Sequence, residues 1–177
     1  MVLRIVASLL SIAALVLMAK DKQVVYLNLA GEELTLEAKH SYVEAFVYLV
    51  YSNGLVAIYC FLLVFALVFR LIDKAGCGKS AAWIIFLLDQ GLAYVLLAAA
   101  AASTEVAYVA KRGNNKVGWS EVCSTFGHFC NLVGVSIVIT FISVLAMATL
   151  SVMSARRLFK TYGPERKQIS SNDAPAI

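Results

Sequence analysis

The chain has 177 residues, of which 61% are hydrophobic and 15% charged, with a mean hydropathy of +0.81 and a formal charge of +4. That excess of apolar residues exceeds what a soluble domain carries, and it excludes a separate soluble domain beside the apolar runs. The basic residues stand beside those runs, where they set membrane topology, so nucleic acid is excluded as a partner.

Four runs are long enough to span a bilayer, which takes about 20 residues at ~1.5 Å each. They lie at about 2–19, 45–69, 81–104 and 129–153. Together they predict an all-α membrane protein, a four-transmembrane-helix bundle over 1–160, with a cytosolic C-terminal tail over 161–177. The first run has the basic start of a signal peptide. Its apolar stretch is long for one, and Leu17 and Ala19 before Lys20 make a poor cleavage site, so it reads as a retained helix. Arg4, Arg70, Lys74, Lys79, Arg156, Arg157, Lys160, Arg166 and Lys167 then fall on one side. Lys20, Lys22, Lys39, Lys111, Arg112 and Lys116 fall on the other. The richer side is the cytosolic one, so both termini are expected in the cytosol.

The first outer loop, Lys20–Tyr42, alternates as QVVYLNL and ELTLEA around Ala30-Gly31, the pattern of a hairpin. Glu44 sits at the outer end of the second run. The second outer loop, Glu105–His128, holds Cys123, and Cys130 lies just beyond it. The spacing permits a small disulfide loop in an oxidising compartment, with Phe126-Gly127 as its turn; two free thiols are the other reading. Cys60 reads as a packed core residue and Cys77 as a weak palmitoylation candidate. Tyr42, Tyr48, Trp83, Tyr108, Trp119 and Tyr162 lie near run ends, as interfacial aromatics do.

No catalytic, cofactor-binding or metal site is expected. Gly78-Lys79-Ser80 resembles the end of a phosphate loop, but Asp73 stands where the first glycine belongs. His40 and His128 have no companions at metal-ligand spacing. No Asn-x-Ser/Thr acceptor occurs. In the fourth run Ser136, Thr140 and Ser143 share a face, and Ala98–Ser103 is a run of small residues. Both patterns serve packing within the bundle or contact between protomers.

Asp89, inside the third run, is the informative residue, since a carboxylate in hydrocarbon costs roughly 2.5–3.5 kcal/mol on insertion scales. Arg4 precedes Lys20, and Asp89 precedes Glu105, by sixteen steps each, or ~24 Å of helix, so both stand at one depth. An ion pair between adjacent parallel helices is one reading. The other has Arg4 reaching the headgroups and Asp89 facing a wet crevice. No ionisable group continues from Asp89 towards the outer side. That favours a structural pair over a transporter or channel subunit with Asp89 as its ion or proton site.

Arg4, the stretch FLLDQGLAYVLLAAAAASTEVAY around Asp89, and GWSEVCSTFGHFC with Trp119, Cys123 and Cys130 together resemble the CASP-like proteins. This is the plant family related to Casparian strip membrane domain proteins, and the match is to a non-Casparian subgroup. The resemblance implies a multi-pass plasma-membrane protein, distantly similar to MARVEL-type proteins, with cytosolic termini. It implies a non-catalytic scaffold that forms homodimers, heterodimers or higher oligomers with related members. It also implies guidance of local cell-wall modification through cell-wall-modifying enzymes. The family's intramembrane Arg and Asp map onto Arg4 and Asp89. Two features differ from the founding members. YLNLAGEELTLEAKHSY does not match their first outer loop, and only Met1–Leu3 precede Arg4, leaving no expected site for a partner of an N-terminal tail.

Overall fold

The computed structural model describes residues 2–29, 32–73, 79–113 and 121–162. In chain order these form α1 (Val2–Lys20), β1 (Lys22–Leu29), β2 (Glu32–Lys39), a 3-10 turn at His40–Tyr42, α2 (Glu44–Asp73), α3 (Lys79–Arg112) and α4 (Gly127–Tyr162). Val2–Lys20, Glu44–Phe69, Ser80–Arg112 and Gly127–Lys160 are each long and apolar enough to cross a membrane. Such helices satisfy every backbone polar group internally, which hydrocarbon requires.

Each helix packs on its two neighbours in a ring: α1 on α2 and α4, and α3 on α2 and α4. Side-chain contacts fix the directions. Ser8 of α1 meets Ala57 of α2, whereas Leu15, further along α1, meets Gly54. Neighbours are therefore antiparallel. A Cβ at Gly54 would stand 3.3 Å from Leu15 Cδ1, so glycine there lets α1 and α2 approach closely. This arrangement corrects the expectation of adjacent first and third helices: α1 and α3 are parallel, but they face each other across the diagonal.

Two apolar clusters fill the bundle. One, at the end bearing Arg4, contains Ala7, Val56, Cys60, Leu96, Met147 and Leu150. The other, at the end bearing the strands, contains Met18, Phe46, Leu49, Ala99, Phe129 and Val133. Leu9, Leu55, Phe61, Leu62, Leu87 and Leu145 face outward, while Ala7, Ala14, Ala99 and Ala100 are fully buried beside Met18, Leu49, Leu96 and Met147. The buried small residues let neighbouring helices approach closely, which is how helices pack where lipid supplies no hydrophobic drive between them.

β1 and β2 pair antiparallel from Lys22↔Lys39 to Leu29↔Glu32, the hairpin expected from the alternation. Its register sets Gln23, Val25 and Leu27 against Ala38, Leu36 and Leu34, and Lys22, Val24 and Tyr26 against Lys39, Glu37 and Thr35. Val25 packs on the second core cluster. The Gln23 side-chain oxygen accepts the Phe129 N–H at 2.9 Å, satisfying one of the donors that the start of α4 leaves free.

α3 and α4 outrun the apolar spans. α3 continues through EVAYVAKR beyond Thr104, and α4 through SARRLFKTY beyond Met153. Hydropathy falls there, but Glu, Ala, Lys and Arg are strong helix formers. α3 stops at Gly113, whose φ of 64° is left-handed and whose N–H returns to the Val109 carbonyl at 2.8 Å. That is a glycine C-cap.

Candidate functional site

Asp89 is fully buried and Arg4 is 7% exposed. The guanidinium meets the carboxylate side by side: Nη1 donates to Oδ1 at 2.9 Å and Nη2 to Oδ2 at 2.8 Å. This fork is the strong form of an Arg–carboxylate pair. Tyr59 Oη donates to Asp89 Oδ1 at 2.7 Å, and Ser154 Oγ donates to Oδ2 at 2.8 Å. Each helix thus contributes one side chain: Arg4 from α1, Tyr59 from α2, Asp89 from α3 and Ser154 from α4. The Arg4 guanidinium carbon also lies 5.9 Å from the Tyr59 ring centroid, within cation–π range. Each carboxylate oxygen accepts two hydrogen bonds, all four from protein donors.

Tyr59 and Ser154 escaped the sequence reading. A tyrosine and a serine in an apolar run carry no signal by themselves. The one available clue was that Tyr59 stands mid-span, whereas aromatic anchors cluster at the ends.

Further hydrogen bonds join the helices. Ser11 and Ser143 hydroxyls are 2.8 Å apart, and Ser136 Oγ donates to the Ala14 carbonyl at 2.8 Å. Asn53 Nδ2 donates to Thr140 Oγ1 at 3.1 Å, and Ser103 Oγ to the Ala45 carbonyl at 3.0 Å. Ser151 bonds Gln90 next to Asp89. Ser136, Thr140 and Ser143 are therefore occupied inside one chain, and so is Ser103 at the end of the small-residue run.

Among the described residues, no group of three or more His, Cys, Asp or Glu lies together. Beyond the Asp89 cluster, the buried side chains along the bundle axis towards the hairpin are apolar, hydroxyl or amide ones, up to Asp21. Cys60 is buried with its sulfur 3.8 Å from that of Met147. Glu44 and His128 are exposed at the hairpin end. Trp83 packs edge-on against Phe86 and Phe159 at the opposite end. Cys77, Gly78 and Trp119 lie outside the described residues, as does the tail from 163 onward.

At the hairpin end, Cys123 and Cys130 form a disulfide with Cα atoms 5.7 Å apart. Val122 and Cys123 both donate backbone N–H groups to the Ala110 carbonyl, folding this segment back onto α3. Asp21, between α1 and β1, is 3% exposed, and its Oδ2 has no hydrogen-bond partner. Burial raises its carboxyl to about 6, with His128 of α4 pulling the other way.

Comparison with known proteins adds three findings. A family model described as the Casparian strip membrane protein domain matches residues 1–146. CASP-like protein 2U2 of Osmunda lancea is 61% identical over 160 residues, covering 90% of this chain and 79% of that protein. CASP-like protein 2U3 of Pteridium aquilinum subsp. aquilinum is 57% identical over 157 residues, 89% of this chain and 85% of that one. CASP-like protein 2A3 of Picea sitchensis is 40% identical over 166 residues, 92% and 86%. No solved structure matches.

Proposed function

The chain belongs to the Casparian strip membrane protein domain family, and from that premise we propose that it is a non-catalytic plasma-membrane scaffold. It self-associates with its own copies and with related members to organise a membrane domain, its termini in the cytosol and its hairpin end towards the wall. Local cell-wall modification is the process that such a domain would position.

The observation that carries this reading is the closure of the Asp89 site. A carboxylate in a transport path needs a vacant valence and a neighbour to hand its charge to. Asp89 has both oxygens filled by donors from the other three helices. Its surroundings suit a rigid brace that fixes how the helices sit, which gives a lattice of protomers a constant shape.

Single-particle tracking of the tagged protein at native expression tests the reading. Immobile patches containing several copies are expected; free diffusion of single copies counts against it. The competing transporter reading is tested by flux across liposomes containing the purified chain. A flux that vanishes in Asp89→Asn would replace the scaffold with a conduit.

A further inference from the structure

Between the hairpin-end halves of α3 and α4 lies an open groove of about 1600 Å³. Phe46, Ala107, Phe129, Val133, Ile137 and Val138 line it, and its polar lining includes Lys39, Glu105, Lys111 and Asn131. Along α4 it runs from Gly127 to Val138, eleven steps or ~16 Å of helix. That length is about half of a ~30 Å hydrocarbon core, the depth of one leaflet. Small residues on the walls keep it open: Ala102, Ala107 and Ala110 on α3, and Gly127 and Gly134 on α4. A Cβ at Gly134 would meet no atom within 4 Å, so the groove at that point is empty space rather than packed protein.

Its charges are distributed unevenly. Glu37, also in the lining, is held by Lys22 at 3.0 Å. Lys39 and Lys111 have no carboxylate within ion-pair distance among the described residues, and neither has Glu105 a basic partner. Arg112 stacks on the Tyr108 ring beside them, 5.6 Å from its centroid. An apolar slot one leaflet deep, with unpaired ammonium groups among its polar residues, complements one class of molecule present in every bilayer.

We propose that the α3–α4 groove is a binding site for a glycerophospholipid of the leaflet at the hairpin end. Its acyl chains lie over Gly134 and Val138, and its phosphate sits at Lys39 and Lys111. The lipid is thereby a constituent of the protomer surface, not solvent in general: α3 and α4 present a filled face only when it is bound.

The test uses the full chain in phosphatidylcholine nanodiscs doped with phosphatidylglycerol that carries a photoactivatable diazirine in mid-chain. Labelled peptides are then mapped. Labelling concentrated on Ala102–Lys111 and Val133–Val138 is expected, with Gly134→Trp lowering it about tenfold, the equivalent of ~1.4 kcal/mol. Because the tryptophan enters open space, the bundle is expected to tolerate it. Should it fail to fold, the paired substitution of exposed Lys39 and Lys111 by Gln decides the matter, since loss of both ammonium groups must weaken phospholipid labelling. A diacylglycerol bearing the same diazirine separates headgroup from chain recognition, and labelling the groove as strongly as the phospholipid overturns the phosphate assignment. Labelling spread evenly over Leu9, Leu55 and Phe61 overturns the site. So does a disulfide-trapped dimer of Gly134→Cys with no lipid label, which assigns the groove to a second copy.

Discussion

Asp89 is accommodated inside the bundle because Arg4, Tyr59 and Ser154 all donate to its carboxyl group. Removing one partner of a buried ion pair costs about 3–5 kcal/mol because the other is left uncompensated. Arg4→Ala and Asp89→Ala should each therefore destabilise the protein by that order in detergent-unfolding titrations. The double variant should lose less than the two losses added together, and Arg4→Asp with Asp89→Arg should recover part. Tyr59→Phe and Ser154→Ala each remove one hydrogen bond, for which membrane proteins show about 0.6 kcal/mol on average and up to ~1.7. If either costs as much as Asp89→Ala, the hydroxyl rather than the guanidinium is the main support of the carboxylate. Arg4 and Asp89 were legible in the sequence because charge in an apolar run is rare. The hydroxyl partners were not, since Ser and Tyr are common in spans and their role depends on helix rotation, which hydropathy does not encode.

The spanning helices were legible for the same reason, and the hairpin through its alternation of polar and apolar residues. The extent of α3 and α4 was not, because hydropathy falls off before helix propensity does, and the helices continue to Arg112 and Tyr162. At element scale the hairpin is the part most open to conditions. Gln23 ties it to the start of α4, and Asp21 is buried at its root. Folding raises the Asp21 carboxyl from its ordinary 3.8 to about 6. The docked form thus binds a proton more tightly than the free one. Its stabilisation is complete below the ordinary value and is lost as pH rises through about 6. Amide exchange across Lys22–Lys39 should accelerate between about pH 4 and pH 6 beyond the intrinsic base catalysis, read in a His128→Gln background that removes the neighbouring imidazole. Asp21→Asn should abolish that excess; if the excess persists, another group controls docking. Gln23→Ala should raise exchange at Phe129 at every pH, by about the worth of one hydrogen bond, ~1 kcal/mol.

At the scale of the whole molecule, orientation determines which face meets which compartment. The chain carries no glycosylation acceptor of its own. An Asn-x-Thr introduced into the hairpin should therefore gain a glycan in microsomes if that end faces the lumen, whereas one introduced at the far end of α4 should not. The opposite pattern would invert the topology. The ring order of the helices was the least legible feature. Residue depth can be counted along a helix, but whether α1 lies beside α3 or across from it depends on interhelical packing. Here that packing is decided by Gly54 against Leu15 and by the Ser11–Ser143 and Ser136–Ala14 contacts that seat α4 beside α1.

The diagonal has a consequence in time. A ribosome releases Arg4 first, Asp89 follows 85 residues later, and Ser154 comes 65 residues after that. Through the first half of synthesis α1 has its cation without the carboxylate that meets it in the finished bundle. In the first half of the chain only the Tyr59 ring and the lipid headgroups can meet Arg4, and its carboxylate partner arrives with α3. A nascent chain truncated before α4 lacks the Ser154 hydrogen bond to Asp89, and its Arg4–Asp89 pair is expected to be held less firmly than in the finished protein.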